Sequence, residues 1–201
     1  YILYQHRAKK GYEGIKETPV DGYQFTLIHD HDKCYYSYGT SHQKCLAHEL
    51  RYLEDSIINE KELTWNRKMK ELLQNTIHRF KINELSEDDI VQIRKDYDDI
   101  ILLGEKEYGE HPPNRYYSDG YNTFKRMRDY KESVLYFLDH KEIPYTNNEA
   151  ELDLRKIKRK SRSIGSFRSS ASIGYYCDFM SIIETARRKD QNIFEIIKQK
   201  L

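Results

Sequence analysis

The pattern of apolar and polar positions divides the chain in three. At the front, short apolar runs alternate with turn residues. "YILYQHR" (1–7) reads as a short strand, and "KKGYEGIKE" as a turn into a short helix. "YQFTLIHD" (23–30), bounded by Asp21-Gly22, reads as a strand ending at Asp30, and "HQKC" as a third strand. From about residue 46 to 140 the period becomes helical. "LAHELRYLEDSI" opens a helix. Trp65, Met69, Leu72, Leu73, Ile77 and Phe80 then fall on one helical stripe, and Ile90, Ile93, Tyr97, Ile100 and Ile101 on a second. Ser86 with Asp89 has the spacing of a capping box. Pro112-Pro113 breaks the pattern, and a third helix is predicted over 121–139, with Phe124, Met127, Val134, Leu135 and Leu138 on one side. Beyond Pro144 the chain reads as helical over 147–160. A polar Ser/Gly-rich junction and two closing helices follow. The resulting division is a strand-rich part (1–50), an inserted all-helical middle (51–143) and a helical tail (144–201).

Composition narrows this little. Apolar residues are 38% of the 201, which is low, and charged residues are 33%, which is high, so much helix surface must face water or a partner. The net charge of +1 says nothing about partners as a whole-chain figure. Three cysteines, Cys34, Cys45 and Cys177, make no disulfide framework and favour a reducing cytoplasm. No apolar run approaches the ~18 residues of a membrane span. The start at Tyr1, without Met, reads as the interior of a larger protein.

Charge changes the picture locally. Asp30 at the end of a strand stands where open α/β sheets keep their ligands, although a strand-end Asp is also ordinary turn chemistry. A hard cation such as Mg²⁺ takes oxygen ligands of this kind. His29, His31 and Cys34, with Cys45 and His48 in a C-x2-H pair, offer a zinc alternative that lacks a matching second half-site. Glu149, Glu151 and Asp153 fall on different helical faces, so at most one of Glu149 and Glu151 faces a site; acids in a first helical turn also suit the helix dipole. Arg155, Lys156, Lys158, Arg159, Lys160, Arg162 and Arg168 then form a basic run with no acid over 154–168, suited to a polyanion.

These same stretches carry a family resemblance. "PYTNNEAELDLRKIKRKSRSIGSFRSSASIGYYCDFMSIIETARRKD" resembles the N-N-x-A-E motif, basic stretch, G-x-F-R-S segment and closing helix of the insertion-sequence-sixty-six family of bacterial transposases. "LIHDHDKCYYSYGTSHQKCLAHELRYLED" resembles its V-H-D and C-x-A-H segments. The resemblance covers most of the chain and is strongest at 27–54 and 144–195. It implies an RNase H-like α/β domain with a D-D-E carboxylate triad, a helical insertion before the Glu, and Mg²⁺ or Mn²⁺ as cofactor. By motif position Asp30 is the second Asp and Glu151 the Glu, both metal ligands, while Glu149 takes a variable position. Cys45 and His48 match a signature that supports the site locally. Arg155, Lys156, Lys158, Arg159 and Arg168 become contacts to DNA phosphates. The implied chemistry is metal-assisted phosphodiester cleavage and strand transfer, by a homo-oligomer acting on transposon ends and target DNA in the bacterial cytoplasm.

Two departures stand out. Leu152 replaces the Arg that follows the Glu in the family. The first Asp is expected on a strand upstream of Tyr1, so this chain by itself is expected to show little or no strand transfer. The competing expectations are a non-catalytic DNA-binding remnant of a decayed transposon and a zinc module.

Overall fold

The structure is a computed structural model and describes residues 1–198. It is mostly helical, with one small two-stranded parallel sheet, an arrangement consistent with the α/β class. Two compact units divide the chain: Gly22–Asn147, and Tyr1–Asp21 with the described residues from Asn148 onward.

In the first unit, β1 (Thr26–His29) pairs in parallel with β2 (Ser41–Lys44), with His29 opposite Lys44. Parallel neighbours need a crossover, here residues 30–40. It contains a 3-10 turn, Lys33–Ser37, capped by Asp32, whose carboxylate accepts from the Cys34 amide at 3.1 Å. Gly39 closes the crossover at φ 73°, where a Cβ would stand 2.7 Å from the Phe25 carbonyl.

Helices α2 (Leu46–Asn59), α3 (Trp65–Lys81), α4 (Glu87–Glu110), α5 (Asp119–Asp129) and α6 (Lys131–Leu135) complete this unit. The Trp65–Phe80 stripe becomes the inner face of α3, with Trp65, Met69 and Leu73 fully buried. Ser86 and Asp89 make the reciprocal capping box at the start of α4. Gly104 lets α4 approach α5: a Cβ there would meet the Phe124 ring at 2.5 Å. Buried Gln43 ties the sheet to this core, since its Oε1 accepts from the Phe137 amide at 2.8 Å and its Nε2 donates to the Val134 carbonyl at 3.3 Å.

The helix predicted over 121–139 is broken. At Tyr130 the backbone leaves the helix (φ −121°, ψ 30°), and its ring stacks on Tyr36 at 4.5 Å. No Pro or Gly marks the break; the stacking of Tyr130 on a residue far away in sequence accompanies it.

The second unit contains α1 (Tyr12–Ile15), α7 (Asn148–Ser163), α8 (Ser170–Arg188) and α9 (Ile193–Lys198). Its buried centre is Tyr4, Ile157 and Cys177. The strand expected over 1–7 does not form. The segment runs without strand pairing, and its backbone is satisfied by hydroxyls of α8. Ile2 N donates to Thr185 Oγ1 at 3.0 Å, and Tyr4 N to Ser181 Oγ at 2.9 Å. Thr185 and Ser181 lie four residues apart, one helical turn, and so meet alternate amides of an extended chain.

Candidate functional site

The parallel register assembles the first part of the site. Asp30 follows the last residue of β1, Cys45 the last residue of β2, and His48 lies in the first turn of α2. The Cys45 amide donates to the His29 carbonyl at 2.9 Å, which extends the pairing by one step and brings the two strand ends level. The ligand atoms of Asp30, Cys45 and His48 lie within 4.8 Å of one another.

Asp30 is held in direction. Its Oδ1 lies 2.5 Å from His48 Nδ1 and accepts from Asn147 Nδ2 at 2.8 Å. Asn147 is itself placed by the chain before it, because the Leu46 amide donates to the Tyr145 carbonyl at 2.9 Å. The Asp30 side chain is 46% exposed. A carboxylate fixed through one oxygen and half open to solvent suits an oxygen ligand for a hard divalent ion. Cys45 is 1% exposed, and burial raises its thiol pKa, which keeps it protonated at neutral pH and a poor partner for such an ion.

The remaining zinc candidates do not converge. His29 is buried; its Nδ1 meets the Asp30 carbonyl at 2.5 Å and its Nε2 meets His42 Nδ1 at 3.2 Å. His31 packs edge-on against Tyr130, and burial pushes its pKa down to about 3. Cys34 stands beside Asp32, and burial pushes its thiol up to about 11. Among the described residues none of these three joins a metal-ligand group. Below the strand ends lies an ion pair that the linear sequence does not reveal: Lys44 Nζ and Glu49 Oε1 are 2.5 Å apart, with both side chains buried.

In the other unit, α7 carries the three acids on two faces rather than the three expected, because Glu149 and Asp153 are i and i+4 and so share one. Glu149 and Asp153, one turn apart, both reach Arg188 of α8, at 3.3 and 2.8 Å. Glu151 lies off that face and is 3.8 Å from Arg155, its i+4 neighbour. Arg155, Lys158, Arg159 and Arg162 continue at i, i+3, i+4 and i+7, and together line one open groove. The face bearing Glu151 is thus also the basic face. Lys156 turns the other way, into Asp153 at 2.9 Å and Glu184 at 2.6 Å, and these bonds raise its pKa, that to Glu184 most. Arg168 is exposed, immediately before the Ser169 cap of α8.

Sequence reasoning assigned no role to Asn147, although it is the first Asn of the N-N-x-A-E motif and the signal stood next to Glu151. Among protein-family models, that of the Transposase IS66 family matches residues 1–173. No curated protein and no solved structure matches the chain.

Proposed function

The chain belongs to the Transposase IS66 family, which implies DNA as its partner, and from that premise we propose that it is the metal-dependent catalytic part of a DNA transposase. Asp30 and Glu151 are its metal-binding acids, and Mg²⁺ or Mn²⁺ its cofactor. The core around them is RNase H-like, and residues 51–143 are a helical insertion between the strand-rich 1–50 and the helical 144–201. The protein works as a homo-oligomer on DNA ends.

The observation that carries this reading is the orientation of Asp30. A strand-end carboxylate held by His48 and Asn147, with its side chain half exposed, is prepared to bind something outside the protein. A bound divalent ion would activate an attacking oxygen and stabilise a leaving one at phosphorus. His48 and Asn147 hold Asp30, and buried Cys45 lies within 4.8 Å of it. Arg155, Lys158 and Arg159, in a row that begins one turn after Glu151, hold phosphates of the DNA backbone, and Arg168 adds a contact from the junction before α8. Lys156 belongs to the ion-pair network rather than to that row.

Titration of a labelled DNA duplex with and without Mg²⁺ tests the reading. Binding that tightens with Mg²⁺, and loses that gain in Asp30→Asn, is expected. Binding indifferent to both the metal and the substitution contradicts it.

A further inference from the structure

We propose that Arg126, on α5, binds a phosphate of the nucleic acid beside Asp30. The inference rests on the DNA reading above and adds to it a residue from outside the motifs.

Arg126 ends a row of side chains that begins at Asp30. His48 Nδ1 lies 2.5 Å from the Asp30 carboxylate. The His48 ring stacks on Tyr52, with centroids 6.3 Å apart and planes 24° from parallel. The Arg126 guanidinium lies over the Tyr52 ring, 5.5 Å from its centroid. All four residues belong to the compact unit 22–147. Tyr52 thus gives the guanidinium a platform close to the strand-end carboxylate.

Among the described residues no carboxylate lies within ion-pair distance of the Arg126 guanidinium. On the same helix Arg128 is paired with Asp129 at 2.9 Å, while Lys125 lies over the Tyr121 ring; on α4, Arg94 is paired with Glu132 at 3.0 Å and with Asp139. The nearby Lys44 is neutralised by Glu49. A half-buried guanidinium with no acid partner is costly by itself and is relieved by an arriving anion. Its planar fork matches two oxygens of one phosphate, and a ring beneath it limits its rotamers before binding.

The test is binding of a short labelled DNA duplex across a salt series by the wild-type chain, Arg126→Gln, Arg126→Lys and Arg128→Gln. One lost phosphate contact lowers the slope of log K against log salt by about 0.9 and weakens binding about tenfold at 0.1 M salt. Arg126→Gln is expected to do both. Arg126→Lys keeps the charge but not the fork, so it should keep the slope and bind about threefold more weakly. Arg128→Gln should match wild type. Arg126→Gln binding with the wild-type slope overturns the proposal and makes Arg126 a packing residue of Tyr52. If Arg126→Gln does not fold, Arg126→Lys decides: wild-type affinity overturns the proposal. A wild-type chain that does not bind DNA removes the transposase reading and this inference together. Binding that responds to Arg155→Gln but not to Arg126→Gln removes this inference alone.

Discussion

Nδ1 of His48 lies 2.5 Å from Oδ1 of Asp30, so the first turn of α2 sets the direction of a carboxylate at the end of β1. The contact links two elements that the parallel register has already brought level. On the proposed reading, His48 positions Asp30 rather than binding the metal itself. In metal sites such supporting partners are worth about 10–100-fold in affinity. His48→Ala is therefore expected to weaken Mn²⁺ binding by at least about tenfold, measured by calorimetry, while the far-UV circular dichroism of the protein stays unchanged. Asn147→Ala should act in the same direction, through its hydrogen bond to the same oxygen.

The two kinds of lysine and arginine on α7 should separate in experiment. Arg155→Gln and Arg159→Gln remove groups from the open basic face and should each lower the salt slope of DNA binding by about one. Lys156→Gln instead leaves Asp153 and buried Glu184 short of a partner. It should lower the melting temperature, at a cost of about 1–3 kcal/mol, and leave the salt slope alone.

The buried Lys44–Glu49 pair predicts a strongly non-additive double-mutant cycle. Lys44→Met alone strands the Glu49 carboxylate in the core, which costs about 3–5 kcal/mol. Adding Glu49→Leu removes the stranded charge and should recover most of the loss, as read by urea denaturation.

Glu60 supplies a pH signature. It is 4% exposed, accepts from Ser56 Oγ at 2.8 Å and from Tyr108 OH at 3.0 Å, and burial raises its pKa. Because the folded pKa lies above the unfolded value, the folded state holds the proton more tightly. The associated stability is fully present below the unfolded value of 4.5 and is lost as pH rises through the folded pKa. Relative to Glu60→Gln, the wild type should lose stability across that rise and then level off, as seen in melting temperatures over a pH series.

Much of the helical architecture was legible in the sequence because its signals are local. The Trp65–Phe80 stripe became α3 within a residue at either end, and the Ser86–Asp89 spacing became a working capping box. The misreadings share one physical cause, long-range contact. Residues 1–7 carry an apolar pattern suited to a strand, but the partner they meet is a pair of hydroxyls on α8, some 180 residues away. The break at Tyr130 goes with stacking on Tyr36, which no local rule anticipates. Of the proposed site, Asp30 stood out as a strand end and Glu151 by motif position. Helical spacing alone could have separated Lys156 from Arg155, Lys158, Arg159 and Arg162. Asn147 was signalled by the motif, but its bond to Asp30 was not; that bond, Lys44–Glu49 and the Arg126–Tyr52 contact depend on pairings across elements and could not be read from the linear chain.

The most direct measurement is calorimetric titration of Mn²⁺ into the protein, into Asp30→Asn and into Glu151→Gln, with Glu149→Gln as the comparison from the Arg188-bound face of the same helix. The account predicts that the wild type binds Mn²⁺, that Asp30→Asn and Glu151→Gln each lose at least about tenfold in affinity, and that Glu149→Gln binds like the wild type. Equal affinity in all four proteins would contradict it, and would leave Asp30 and Glu151 as a strand-end and a helix-end acid with no part in metal chemistry.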